Sequence, residues 1–372
     1  MQRVVEIAYV TSVRLPTGRA HGYAIMKMCE QFAEHGAKIE LIVPSRNPGV
    51  LSDDPFAYYN IKRSFSIQKT WATDFSSKKE ASRLAFAADE LTFLFSIWKK
   101  RFGVRLVYTR DYQVALIARS RTIVLEVHTI PGRTFLFRRA LSRSQKIVVI
   151  SGGLKEELLR LGVPEQKIYV SHDAVDLEEF SGTVSREVWK KYDVNPAKKI
   201  ALYTGHFYGW KGADTFAETA KYLSNVEIVL MGGVDSELAE FRKKYSSQSV
   251  HVIGYQPREK IPALLQAADV LVLPNSAKPK ISSHYTSPLK LFQYMASGIP
   301  IVASDLPSIR EVLTDETAFW FTPDDEHSLA KQIEYVLSHV EEARSKALRA
   351  KEAVKKYTWD SRARQILAFI ID

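Results

Sequence analysis

Cysteine is almost absent: Cys29 stands alone among 372 residues, which excludes an intrachain disulfide and suits a reducing compartment. Its thiol reads as a small core group on a helix. Long apolar runs are missing too. No stretch approaches the roughly 18 residues that a membrane-spanning helix needs, so any contact with a bilayer would be made from its surface. Residues 1–10 form a short strand-like run without a cleavage pattern, and no leader peptide is expected. No His/Cys grouping has ligand spacing, so no metal is implied. Low-complexity tracts and repeats with a period of roughly 20 to 50 residues are also absent.

The chain that remains is too long for one typical core and points to about two domains. With 46% hydrophobic and 25% charged residues it reads as soluble and globular. Its net charge of +10 is unevenly spread: residues 1–150 hold 24 Lys and Arg against 12 Asp and Glu, and the remainder holds 28 against 30. The positive charge therefore belongs to the first half, which would be drawn to a membrane surface, a phosphorylated acceptor or nucleic acid.

Both halves alternate strands and helices in the manner of doubly wound parallel sheets. Buried-type strands are expected at 4–10, 39–43, 106–108, 123–127 and 147–150, with a helix at about 22–34. They resume at 200–203, 226–231, 251–253, 270–273 and 300–303. Between them, residues 180–199 are polar and strandless, which predicts a linker and a domain boundary near Ser181. Two α/β domains of similar size would leave a cleft at the carboxyl ends of their strands, where open sheets bind ligands.

Residues 274–305 carry the most functional information. A polar loop runs into a helix of period 3.6, with Leu289, Phe292 and Met295 inward, then a Ser-Gly stop and a β-branched strand. Free N–H groups and the positive end of the helix dipole make the segment from Thr286 through Ser287, Pro288 and Leu289 to Lys290 a natural diphosphate seat. Gly205 ends a strand, and Lys211 lies on a Gly-flanked loop before a helix starting near Ala213. A mobile ammonium there can neutralise a departing diphosphate. In the first half, Gly22 follows the polar run 16–21. His128 ends the strand at 123–127, and Arg110 and Asp111 end the one before it. Arg110 would bind an anionic group or pair with Asp111.

Four segments in order carry a family resemblance: 151 with 167–180, 203–212, 253–275, and 274–304. Together they resemble the retaining glycosyltransferases of the GT-B type, family 4, over nearly the whole second half and more loosely over the first. The resemblance implies two Rossmann-like domains facing across a cleft: an acceptor-side domain over 1–180, with a C-terminal helix at about 357–372 returning to it, and a nucleotide-sugar domain over 181–356. It implies transfer of a sugar from a UDP- or GDP-linked donor to a glycan or lipid-linked acceptor with retention, in the cytoplasm and, for a lipid-linked acceptor, at the inner face of the membrane. The nucleotide-sugar is a substrate, and no separate cofactor is implied. Gly22 matches the glycine whose backbone approaches the diphosphate, and His128 the histidine near the reacting carbon. His21, Arg110 and Asp111 are acceptor-side candidates.

Three positions depart from the family. His206 stands where an arginine usually follows the first glycine; imidazole still donates a hydrogen bond, but its charge depends on pH. Lys211 must then carry more of the electrostatic work. Tyr285 and Gln293 stand where two glutamates eight apart normally contact the donor sugar and the ribose. Gln293 can still bond a ribose, since an amide both donates and accepts. Tyr285 cannot act as a carboxylate. The resemblance implies that the leaving diphosphate itself assists the incoming hydroxyl, which makes that loss tolerable, and Ser282, Ser283, His284, Thr286 and Ser287 could supply sugar contacts instead.

Other readings stay open. A non-catalytic subunit would keep donor affinity without turnover, and a nucleotide-sugar epimerase would need no acceptor. A nucleic-acid protein is disfavoured because no recognised motif accompanies the charge. The stretch 93–105, with Trp98 beside Lys99, Lys100 and Arg101, reads either as an interfacial helix or as one packed on its sheet. Asp324, Asp325 and Glu326 read as a helix N-cap with first-turn acids rather than a metal site.

Overall fold

The computed structural model describes residues 4–47, 54–77, 82–103, 105–132, 134–233 and 235–372. Among these, the strands form two all-parallel sheets, one of seven strands and one of six. The first contains β1 (Glu6–Val10), β2 (Lys38–Pro44), β3 (Ser66–Thr70), β4 (Leu106–Thr109), β5 (Ile123–Val127), β6 (Lys146–Val149) and β7 (Ile168–Val170) in the order β3-β2-β1-β4-β5-β6-β7. The second contains β8 (Lys199–Thr204), β9 (Val226–Met231), β10 (Val250–Ile253), β11 (Val270–Leu273), β12 (Ile301–Ser304) and β13 (Phe319–Phe321) in the order β10-β9-β8-β11-β12-β13. Central strands are largely apolar and covered on both faces, as parallel sheets require, with Glu126 on β5 and Glu227 on β9 as buried exceptions. Ile7 to Val10 and Val270 to Leu273 are fully buried.

Strand order reverses between β1 and β4 in the first sheet and between β8 and β11 in the second. Those are the switch points where the carboxyl ends of an open sheet hold ligands.

Contacts divide the chain into two units, one of residues 1–150, 154–172 and 359–372, the other of 151–153 and 173–358. The passage falls at His172 and Asp173, somewhat before Ser181, because Val175 bridges Thr358 and Phe180 lies in the second unit's core. The segment expected to be a linker is packed against that same core. Trp189 is fully buried and its indole N–H donates to the Ala267 carbonyl at 3.0 Å. Arg186 donates to the carbonyls of Pro196 and Lys198. A polar sequence thus folds down because its few apolar side chains have a core to enter.

The helix Ala20–Glu34 starts two residues before Gly22 and buries Cys29. In the second unit, the helix Leu289–Ser297 ends at Gly298, whose left-handed φ of 73° is one glycine adopts without strain. Phe292 and Met295 enter the core as expected, while Leu289 is only partly covered and Leu291 and Tyr294 are buried beside them. Asp325 caps the helix Glu326–Ser338 by accepting from Ser328 N at 2.9 Å. The final helix, Trp359–Ile371, belongs to the first unit and packs on the helix Ala20–Glu34. No helix of the described residues is long and apolar enough to cross a membrane.

Candidate functional site

At the β8–β11 switch point, backbone segments close in because three glycines carry no side chain. A Cβ at Gly212 would lie 1.6 Å from the Pro274 carbonyl oxygen, and one at Gly232 would lie 2.1 Å from that of Gly205. Gly205 itself adopts φ 140°, and a Cβ there would come 3.4 Å from Lys290 Nζ and 3.2 Å from Tyr203 Oη. The Gly205 corner therefore fits an approaching backbone-sized or phosphate-sized group and little else.

Two lysines converge near it. Lys211 ends a short 3-10 turn, Gly209–Lys211, and its Nζ lies 3.8 Å from the Trp210 ring centroid. Lys290 is the second residue of the helix Leu289–Ser297, is buried, and sets its Nζ 3.8 Å from the Tyr203 ring centroid. Burial lowers Lys211 to about 8. Burial, and then the Lys211 charge, push Lys290 well below the usual lysine range. Lys290 Nζ has no hydrogen-bond partner among the described residues. Cation–π contacts offset only part of the cost of such a group.

The amino end of the same helix has no side-chain cap; Pro288 precedes it in extended conformation. Tyr294 Oη accepts from Thr204 N at 2.9 Å, which ties the helix to the end of β8. Gln293 is half-buried and hydrogen-bonds to no described residue. Tyr285 ends a single π-turn, Ile281–Tyr285, and is buried; Thr286 leaves it in extended conformation. Ser287 Oγ is engaged within the fold, accepting from Asp173 N at 3.0 Å. Ser282 Oγ likewise donates to the Trp210 carbonyl at 3.3 Å, so these two hydroxyls hold the loop. His206 stacks on Tyr208 with ring centroids 4.9 Å apart, and its Nδ1 lies 3.8 Å from Glu237 Oε2.

Sequence reasoning missed two polar groups at this edge. Asn275, two residues after the end of β11, is fully buried with neither amide atom partnered among the described residues, and Ser304 Oγ at the end of β12 is in the same state. An Asn following a run of Val and Leu and a single Pro is the available signal, since such a side chain needs partners once buried.

The first unit gathers a different constellation at its own switch point. Glu126 on β5 is fully buried, and its Oε1 receives His128 Nε2 at 2.7 Å, Arg362 at 2.9 Å and Arg110 at 3.0 Å. Tyr108 Oη donates to Oε2. Burial alone would raise this carboxyl, but Arg110, Arg362 and His128 outweigh it and hold the group well below the usual range. An ionised carboxylate only accepts, so His128 carries its proton on Nε2.

Arg110 therefore pairs with Glu126, and its charge also acts on Asp111. The Asp111 carboxylate accepts from Ser12 N at 2.6 Å, and burial raises its pKa. Burial, then Arg110, Arg19 and His128, lower His21 to about 4, which keeps that imidazole neutral. Glu90, not singled out by sequence, is raised to about 7 by burial and by Asp111. Gly22 is fixed by packing: a Cβ there would sit 2.2 Å from Tyr59 Oη, which donates to the Thr17 carbonyl.

Residues 22–179 match the family model described as Glycosyltransferase Family 4, and residues 198–339 match that of Glycosyl transferases group 1. Among curated relatives, the amylovoran biosynthesis glycosyltransferase AmsK of Erwinia amylovora is 24% identical over 57% of this chain and 51% of its own. The UDP-Gal:alpha-D-GlcNAc-diphosphoundecaprenol alpha-1,3-galactosyltransferase of Escherichia coli is 25% identical over 58% of this chain and 62% of its own. The chain thus spans about half to three-fifths of the length of these relatives. Among solved structures, the sucrose-phosphate synthase of Thermosynechococcus elongatus superposes with a TM-score of 0.77 at 16% identity, covering 98% of both chains. Anabaena HepE in complex with UDP superposes with a TM-score of 0.75 at 14% identity, covering 99% of this chain and 100% of its own.

Proposed function

This chain belongs to the family 4 glycosyltransferases with the GT-B fold, and from that premise we propose that it moves a sugar from a nucleotide-diphosphate donor to a glycan or lipid-linked acceptor with retention. The observation that carries the reading is the pair Lys211 and Lys290 at the Gly205 corner, two buried amines with no carboxylate paired to either among the described residues. Such a pair suits a diphosphate, whose charge grows as the sugar leaves.

In this reading Lys211 and Lys290 hold the diphosphate together with the uncapped helix end at Pro288 and Leu289. His206 donates a hydrogen bond where the family has arginine. Gln293 meets the ribose with its unengaged amide, and Tyr285 and Thr286 border the sugar; Ser287 serves through its backbone, its hydroxyl being held by Asp173. The first unit would contribute His128, oriented by Glu126, as the histidine near the reacting carbon. Neutral His21, with Arg110 and Asp111, receives the acceptor, and the Gly22 backbone serves the diphosphate. With Tyr285 in place of a carboxylate, the leaving diphosphate assists the incoming hydroxyl on its own face of the sugar, which yields retention. Uridine is the favoured base, since HepE was solved with UDP and with UDP-glucose. The galactosyltransferase relative, whose acceptor is alpha-D-GlcNAc-diphosphoundecaprenol, supports a lipid-linked acceptor.

Such an acceptor would be met at the cytoplasmic face of a membrane. The basic first unit supports that placement, as does its helix Arg83–Lys99, which exposes Leu84, Phe86, Leu91, Phe95 and Trp98.

The test is a panel of UDP- and GDP-sugars read by thermal shift, followed by transfer to a polyprenyl-diphosphate sugar and NMR of the product anomer. A donor at 100 times its dissociation constant stabilises by about 2.7 kcal/mol. An inverted product would overturn retention. The loss of both family glutamates favours one alternative, a donor-binding subunit without activity; stabilisation by UDP-sugar with no transfer to any acceptor would identify it.

A further inference from the structure

Lys290 occupies a site that gives an ammonium nothing to pair with. From β8, Tyr203 faces it with an aromatic ring 3.8 Å away, and burial pushes that phenol well above its usual range, so it offers no phenolate. Gly205 lies against Nζ with backbone only. From the turn after β8 comes Lys211, a second cation that acts against it. On its own helix, Tyr294 turns its hydroxyl to Thr204. Glu237 and Asp214 act on Tyr203, yet neither is among the groups that act on Lys290. The side chain is more than nine-tenths buried, unpartnered among the described residues, and directed to the Gly205 corner beside an uncapped helix end.

Resting on the donor reading above, we propose that Lys211 and Lys290 form an anion seat whose second charge arrives with its ligand: a diphosphate binds together with one solvent proton, taken up on Lys290 Nζ. The balance is simple. A buffer acid loses a proton, the Lys290 amine becomes an ammonium, and no other group changes its proton count through Lys290. A dianionic or trianionic phosphate group supplies the missing partner and turns an unfavourable charge into a favourable one. Only one lysine then needs to be charged in the ligand-free protein, which removes the repulsion that two adjacent ammonium groups would store. The second charge appears where the leaving diphosphate develops its own.

The test is titration calorimetry of the full chain at pH 7.5 with UDP, and separately with inorganic pyrophosphate, in phosphate-free buffers of differing ionisation enthalpy. The slope of observed heat against buffer ionisation heat counts protons. Wild type should take up roughly one proton more than Lys290→Arg, whose guanidinium is always charged. Lys290→Arg should keep affinity within a few-fold. Lys290→Met should bind at least tenfold more weakly and also lose the extra uptake, which gives the same subtraction if the arginine variant misfolds. Equal uptake in wild type and both variants, with UDP still bound, would overturn the proton-coupled seat while leaving the donor reading standing. Pyrophosphate bound with the extra proton, and UDP not bound, would keep the seat and sink the nucleotide. Failure of both ligands to bind would sink both.

Discussion

His128 Nε2 and Glu126 Oε1 lie 2.7 Å apart, and the same carboxylate oxygen holds Arg110 and Arg362. One buried anion thus orients an imidazole, a residue at the end of β4 and the chain's final helix. His128 keeps 30% of its side chain exposed, whereas Glu126 is fully buried. The imidazole is replaceable without loss of the core; the carboxylate is not.

His128→Ala should therefore lower turnover by about 100-fold or more while leaving the melting temperature near wild type. Glu126→Gln should instead destabilise by about 3–5 kcal/mol, because two guanidinium groups lose their shared counter-ion. Denaturant titration and steady-state kinetics separate the two outcomes. Glu126 titrates below the ordinary carboxylate range, so its contribution to stability is complete above that range and disappears as pH falls through its own depressed pKa. Acid unfolding of Glu126→Gln should lack that component.

Lys211→Ala should slow transfer by roughly 100-fold or more at saturating donor. Because burial lowers Lys211 to about 8, its ammonium is the majority form below that pH and the amine above it. In wild type, kcat/KM should thus fall on the alkaline side of about 8, reporting the free enzyme. A flat profile from pH 7 to 10 would remove Lys211 from the electrostatic role. Removing it also relieves Lys290 of a neighbouring charge, so Lys211→Ala should keep measurable UDP affinity where the double variant with Lys290→Met keeps none.

Gln293→Glu should preserve or improve donor binding, since it restores an anionic ribose acceptor at little change in volume. Gln293→Leu should weaken binding by about 1–3 kcal/mol, leaving ribose hydroxyls unpaired. Equal affinities in all three proteins by calorimetry would place the ribose elsewhere.

How far the sequence reached can be traced through individual residues. Central strands such as β1 and β11 were readable because parallel strands buried on both faces are apolar throughout. β3, β7 and β13 were not: they lie at sheet edges, β7 and β13 have three residues each, and β3 is mostly exposed. Glycine and helix signals marked Lys211 and Lys290 as phosphate-seat candidates, but their proximity and the lack of a counter-ion among the described residues emerge only from the packing around Tyr203. Glu126 escaped notice because a single Glu inside a strand gives no pattern, and its partner Arg362 is 236 residues away. Ser287 shows the opposite failure, a plausible ligand hydroxyl already engaged by the backbone of Asp173.

The last prediction concerns the helix Arg83–Lys99. Only Asp89, Phe93 and Ile97 are buried on it, whereas Leu84, Phe86, Leu91, Phe95 and Trp98 are exposed. Phe95 and Trp98 stack at 6.0 Å, with Lys99 over the first ring and Arg119 over the second. Aromatic rings flanked by cations suit the interface of an anionic bilayer. Lys100 takes less part, since it is half-buried and donates to Gln68. The full chain should bind vesicles of anionic lipid and ignore neutral ones, with each engaged Lys or Arg contributing about 1 kcal/mol. Binding should weaken as salt rises to physiological strength, where the Debye length is about 8 Å. Lys99→Glu with Arg101→Glu should cut vesicle binding at least tenfold, and Leu91→Glu with Phe95→Glu should abolish it, with UDP affinity unchanged in both. Vesicle binding that is the same for anionic and neutral lipid would assign the positive charge of the first unit to a soluble anionic acceptor.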